Sequence, residues 1–235
     1  PARGSAAAGP GRAARRDSGE LPAMSTDADK QAAAEFAAQF VEDGQKVGLG
    51  TGSTVAPLLP ALARRGLTLR CVSTSPATEE LAKEVGLSVE PFEAVTTLDI
   101  AIDGADQIDP DGWLVKGGGR AHTREKAVEV TAARFIVIAD GSKPVERITA
   151  PIPLELLAFG HEATIARLGP VEVRPGPLSP DGGVIADWKG EVGDPAELAA
   201  LFDADPGVIS HGLFPPSLVT DIVIADGGEV THREL

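Results

Sequence analysis

The sequence predicts an α/β fold: a doubly wound, mostly parallel sheet, followed by a smaller α+β unit. Three observations predict it. Between residues 46 and 139, short apolar runs alternate with segments of helical period, as crossover-connected parallel strands require. Glycine-rich turns stand beyond two of those runs, where open α/β sheets collect ligands. After Pro144 the order changes to β-α-β-β-α-β, a ferredoxin-like split unit.

Each element follows from its own residues. Thr26 or Asp27 caps a helix to about residue 42, with Ala32, Ala33, Phe36, Phe40 and Val41 at helical spacing, and Gly44 ends it. Residues 46–50 read as a buried strand. A glycine turn, a helix over 54–65 and a strand over 68–73 come next. Ser75 and Pro76 open a helix to about Val85, stopped by Gly86. Residues 87–90 are a short strand and 98–103 a buried one. Asp109 to Gly112 form a turn, and 113–115 return as a short strand. A helix over 121–133 leads into a strand over 135–139. The second unit has strands at 152–157, 171–173, 184–187 and 208–213, with helices at 162–168 and 195–202. A Val/Ile run over 218–225 reads as a last buried strand. Residues 1–23, rich in Ala, Gly, Pro and Arg without apolar periodicity, are expected to be a disordered extension.

Composition narrows the function. The chain has 235 residues, with 35 acids against 21 bases and a formal charge of −14, which disfavours nucleic acid or an anionic membrane as partner. An anionic ligand needs a local positive patch, for which Lys116, Lys143 and Lys30 are candidates. The one cysteine, Cys71, excludes an internal disulfide and reads as a small buried hydrophobe. Four scattered histidines lack metal-ligand spacing, so no metal is expected. No apolar run is long enough to span a bilayer, and residues 1–23 lack the apolar core of a secretory signal. A cytoplasmic location is the expectation.

The chemistry concentrates in two places. Asp103 and Asp106 sit at the end of the 98–102 apolar run. Lys116-Gly117-Gly118-Gly119 and Thr123-Arg124-Glu125-Lys126 follow within two dozen residues. Three consecutive glycines cost backbone entropy and give nothing to a core. They suit a backbone that approaches a ligand and offers its N–H groups before a helix start. Upstream, Gly50-Thr51-Gly52-Ser53-Thr54 stands between a strand and a helix, the layout of a phosphate-binding turn. It lacks the Gly-Lys-Ser/Thr ending of a Walker loop and the dinucleotide glycine spacing. Such a turn also serves as a plain strand-to-helix connection. Asp103 and Asp106 equally fit strand-end turn chemistry, and Glu125 equally fits a dipole-complementing first-turn glutamate. Asp109 and Asp111 fit the turn reading better.

On four blocks, Gly50–Thr54, Asp103–Asp106, Lys116–Gly119 and Thr123–Lys126, the chain resembles type A ribose-5-phosphate isomerases. A fifth, weaker block runs from Ile138 to Lys143. The resemblance extends from about Thr26 to the C-terminus. It implies that the last strand returns to the first sheet, so that 24–147 plus 217–235 form a Rossmann-like catalytic domain and 148–216 an inserted ferredoxin-like one. It implies interconversion of D-ribose 5-phosphate and D-ribulose 5-phosphate through an enediolate, in the non-oxidative pentose phosphate pathway, with no cofactor. A homodimer or homotetramer is implied. Glu125 is then the base, and Lys116 stabilises the oxyanion beside Gly117, Gly118 and Gly119. Asp103 and Asp106 bind sugar hydroxyls, with Asp103 assisting ring opening. Thr51, Gly52, Ser53, Thr54, Gly104, Ala105 and Lys143 complete the substrate and phosphate contacts. Lys30 is either a phosphate lysine or part of a solvated helix face.

The chain departs from the family at Arg120 and His122, where smaller or apolar residues are expected. This suggests a narrower site or a changed pH response. The segment 154–159 lacks an expected proline, which bears on oligomer contacts. Rival readings are an amino-sugar phosphate deaminase, a non-catalytic sugar-phosphate sensor and an acyl-CoA-handling transferase. The aspartate and triple-glycine blocks argue against the first. The lack of a DNA-binding module argues against the second.

Overall fold

The structure, a computed structural model, describes residues 26–235; the extension expected at 1–23 lies outside them. In chain order the elements are α1 (Thr26–Ala38), β1 (Lys46–Leu49), α2 (Leu58–Arg64), β2 (Arg70–Ser73), α3 (Pro76–Glu84), β3 (Leu98–Gly104), β4 (Gln107–Ile108) and β5 (Leu114–Val115). Then come α4 (His122–Glu129), β6 (Ala132–Asp140), β7 (Ile152–Leu156), α5 (His161–Leu168), β8 (Val171–Val173) and β9 (Val184–Trp188). The chain ends with α6 (Pro195–Ala204), β10 (Val208–His211), β11 (Leu213–Phe214), β12 (Asp221–Asp226) and β13 (Glu229–Glu234).

The main sheet runs β13-β12-β6-β3-β1-β2, parallel except for β13, which pairs antiparallel with β12 at the edge. Its central strands are apolar on both faces, as a covered parallel sheet demands. Ile100, Ile102, Ile136 and Ile138 pack with α1 and α2, while Ala101, Phe135 and Val137 pack on the opposite side with Phe214 and Ile222. The last strand, β12, does return to this sheet beside β6.

The smaller sheet is antiparallel, in the order β10-β7-β9-β8. Its β7 and β8 are separated by β9, which is the split arrangement expected of a β-α-β-β-α-β unit. Leu154, Leu156, Trp188, Leu198 and Phe202 fill its core. A three-stranded ribbon, β11-β5-β4, joins the two regions.

Several boundaries differ from expectation. The first helix ends at Ala38 and α2 begins only at Leu58, because turns occupy residues 52–57 and Pro57 precedes the first helical residue. Residues 87–90 make one parallel bridge, Cys71 to Val89, rather than a strand. Helix α4 stops at Glu129. The β-branched Val130 and Thr131 follow, and Thr131 Oγ1 donates to Val128 O instead of extending the helix. The strand expected over 208–213 breaks at Gly212 into β10 and β11, which belong to different sheets. A Cβ on Gly212 would lie 2.2 Å from Lys116 O, so only glycine lets the chain change sheets there.

Candidate active site

The site lies beyond the carboxyl ends of β1 and β3. Asp103 is the next-to-last residue of β3 and is buried. Its Oδ1 accepts from the N–H groups of Thr51, at 3.0 Å, and Gly104, at 2.7 Å. Gly50 permits this arrangement, since a Cβ there would come within 2.0 Å of Asp103 Oδ1. The turn that follows is braced from β2 and α3. Thr51 Oγ1 pairs with Thr74 Oγ1 at 2.7 Å, and Thr78 Oγ1 donates to Gly50 O at 3.0 Å. Because α2 starts late, the groups facing the cavity belong to this turn rather than to a helix N-terminus.

Lys116 follows β5 and is the most deeply buried cation among the described residues, 2 % exposed. Its Nζ donates to Gly104 O at 2.7 Å and lies 2.7 Å from Asp103 Oδ2, 3.0 Å from Glu129 Oε1 and 3.5 Å from Glu125 Oε2. The rings of Phe135 and Phe214 lie 5.7 and 5.4 Å from it. An ammonium has three protons. One goes to Gly104 O, and the ammonium is ion-paired with Asp103 and Glu129 within 3.0 Å, so Lys116 meets a ligand chiefly through its charge. Burial alone would pull its pKa down, but the carboxylates of Asp103, Glu125 and Glu129 outweigh that and hold it above the ordinary lysine value.

Glu125 occupies the first turn of α4 and is 4 % exposed. Burial pushes its pKa up to about 8; Lys116 opposes the rise, and Asp103 and Asp106 add to it. Glu129, one turn further along the same face, is also buried and pushed well up, first by burial. Sequence reading missed Glu129, although its spacing of four from Glu125 on a helix was a signal. The same is true of Thr74 and Thr78 beneath the glycine turn, which carried no signal of their own.

The glycine run closes the cavity. Gly118 N–H donates to Asp106 Oδ2 at 2.7 Å, and a Cβ on Gly118 would lie 2.9 Å from Asp106 Oδ1. Together Thr51, Gly52, Ser53, Thr54, Gly104, Ala105, Asp106, Lys116, Gly117, Gly118, Gly119, Glu125 and Lys143 line one cavity of about 270 Å³. Asp103 lies beneath it against Lys116. Thus every expected site residue converges on one place. Lys30 does not line it and pairs with Asp27 at 3.7 Å.

The two departures from the family also stay outside the cavity. His122 is fully buried under Gly117, with its pKa lowered to about 3, first by burial and then by Lys126 and Arg174. It therefore stays neutral across the physiological range. The Arg120 side chain turns toward the small sheet. Neither narrows the site. Among the described residues, one acidic group has metal-ligand proximity: Asp221, His232 and Glu234, distant from this cavity. Asp221 is already held by Arg134 and His232. No helix among these residues is long and apolar enough to cross a membrane.

Comparison with known proteins agrees with this geometry. The family model of ribose 5-phosphate isomerase A (phosphoriboisomerase A) matches residues 70–229. The ribose-5-phosphate isomerase A of Caulobacter sp. strain K31 is 43% identical over 206 residues, covering 81% of this chain and 91% of that protein. The solved ribose 5-phosphate isomerase A of Methanocaldococcus jannaschii superposes with a TM-score of 0.84 at 31% identity, covering 90% of this chain and 100% of that one. A D-ribose-5-phosphate isomerase solved in complex with phospho-erythronic acid gives 0.85 at 32% identity, with 90% and 100% covered. With a family model matching well over half its length, this chain belongs to the ribose 5-phosphate isomerase A family.

Proposed function

We propose that the protein interconverts D-ribose 5-phosphate and D-ribulose 5-phosphate, with Glu125 as the base. The observation that carries the reading is the meeting of Glu125, Lys116, the two aspartates, the glycine run and the 51–54 turn in one cavity. A relative holds phospho-erythronic acid, a phosphorylated sugar acid, which supports a sugar phosphate as ligand here.

Asp103, beneath the cavity against Lys116, assists opening of the furanose. Glu125 then removes the proton from C2 of the aldose and returns it to C1, while the hydroxyl proton on O2 passes to O1. The enediolate between these steps carries negative charge, which the Lys116 ammonium and the Gly117–Gly119 backbone offset. Asp106 orients sugar hydroxyls. Thr51, Gly52, Ser53, Thr54 and Lys143 hold the phosphate, with Gly104 and Ala105 shaping the wall. A base whose proton leaves near pH 8 is poised for exchange close to neutrality.

The wider reading places residues 24–147 with 217–235 as the catalytic domain and 148–216 as its smaller companion. A cytoplasmic homodimer or homotetramer acting in the non-oxidative pentose phosphate pathway belongs to the same reading and rests on the family alone. The test is incubation with ribose 5-phosphate while ribulose 5-phosphate is monitored, alongside Glu125→Gln. The variant should bind substrate yet lose on the order of 10²–10⁴-fold in rate. Solvent deuterium should no longer enter at C2. Exchange at the wild-type rate would assign the base to another residue.

A further inference from the structure

We propose that Arg120 is a positioning residue: it ties the Gly117–Gly119 turn to the loop between β8 and β9, so that the small sheet sets how tightly the turn holds a sugar phosphate. The inference rests on the reading of this cavity as the substrate site.

Arg120 is the one non-glycine residue with positive φ among the described residues, at 66°. A side chain is disfavoured in that conformation, and after three glycines a fourth would avoid the penalty. The arginine instead reaches across to the other sheet. Its Nη1 donates to Pro177 O at 3.0 Å and its Nη2 to Pro175 O. The residue between these prolines, Gly176, has φ 125°, and a Cβ on it would lie 2.9 Å from Arg120 Nη1. Two carbonyls and a bare glycine thus form a seat for one guanidinium. Its backbone is tied to the turn as well, since Arg120 N–H donates to Gly117 O at 3.0 Å.

Other contacts, from the turn and from α4 to the small sheet and its β8–β9 loop, keep this seat in register. Arg174, paired with Asp187, donates from Nη1 to Gly117 O at 2.7 Å. Arg124 makes a two-pronged contact with Asp181 at 2.7 and 2.8 Å. Buried Glu155 takes the hydroxyls of both Thr123 and Ser179. A surface arginine with no such task would gain nothing from a left-handed backbone.

The test uses the full chain and Arg120→Gly, which removes the guanidinium and relieves the backbone, so that folding is not put at risk. Arg120→Lys, which keeps the charge but cannot form the fork, serves as the conservative variant. Amide hydrogen exchange at residues 117–119 and steady-state kinetics are measured together. Arg120→Gly should exchange faster there and lower kcat/KM roughly 3- to 30-fold. Arg120→Lys should recover part of both. Wild-type exchange in Arg120→Gly overturns the latch, and so does faster exchange with wild-type kcat/KM. If the unmodified chain fails to isomerise ribose 5-phosphate, the functional reading falls instead, and the exchange rates alone judge the latch.

Discussion

Replacing Lys116 by methionine keeps most of the side-chain volume and removes, among the described residues, the one cation paired with Asp103, Glu125 and Glu129. All three carboxylates lie within 3.5 Å of the ammonium. All are 4 % exposed or less. Breaking a buried ion pair by removing one partner typically costs about 3–5 kcal/mol. For a domain of this size each kcal/mol moves the melting temperature by roughly 2–4 °C, so a fall of about 6–20 °C is expected at pH 8.

The pH dependence carries the sharper test. Lys116 is held above its ordinary value, so its contribution is fully present below that value and is lost only as pH rises through the raised one. Between pH 5 and 9 it therefore stays charged in the native protein. Glu125 and Glu129 are also raised, so each weakens the fold as pH climbs from the ordinary carboxylate range toward its raised value, about 8 for Glu125. Without Lys116 both rise further, and the loss at high pH grows. Near pH 5 the part of the deficit that comes from the two glutamates should shrink, leaving the part that comes from the broken Asp103 pair. Thermal unfolding followed by circular dichroism from pH 5 to 9 measures this. A deficit below about 3 °C at pH 8, or one that is constant with pH, would refute the account of the cluster.

The remaining predictions concern the same carboxylates. The kcat/KM for ribose 5-phosphate should rise with pH to a midpoint near 8, because Glu125 must lose its proton to act as base; a flat profile from pH 6 to 8.5 would count against Glu125. Glu129→Gln leaves Lys116 more fully committed to Glu125, so that midpoint should move to lower pH while activity persists. An unmoved midpoint would mean that the two glutamates do not share the lysine. Gly50→Ala forces a Cβ to within 1.9 Å of Asp103 Cγ and should cost on the order of 10²-fold in kcat/KM; near-normal kinetics would show that the position of Asp103 is not critical.

Much of the site was legible because its residues violate folding economy. Three glycines in a row, and acids at the end of an apolar strand, have little reason to exist except at a ligand. The parallel core was legible because β3 and β6 are apolar on both faces, so periodicity and composition agree. Strand β13 was not. Its residues, Glu229-Val230-Thr231-His232-Arg233-Glu234, carry one aliphatic side chain and form an edge with little burial. The usable signal was the turn before it, where Gly227 and Gly228 both have positive φ, as a tight two-residue hairpin requires. The two-residue strand β4 has too few side chains to show any period.

The electrostatics of the site depend on contacts that no local pattern encodes. Asp103, Lys116 and Glu129 come from a strand, a loop and a helix, and only the fold brings them to within hydrogen-bonding distance. The sequence reading grouped Lys116 with Lys143 and Lys30 as a patch that draws an anion into an acidic protein. The geometry separates them. Lys116 already faces three acidic side chains and has no net positive field left at a distance, while Lys143 lines the cavity and Lys30 stands outside it. On the proposed reading, recognition of the phosphate therefore falls to Lys143 and the 51–54 turn. Lys116 is held rigidly where enediolate charge develops, and a fixed charge in a dry site stabilises a transition state without reorganising. The three acids that quench its long-range pull are the same groups that fix its place, so on that reading binding and catalysis draw on different cations in one small cavity.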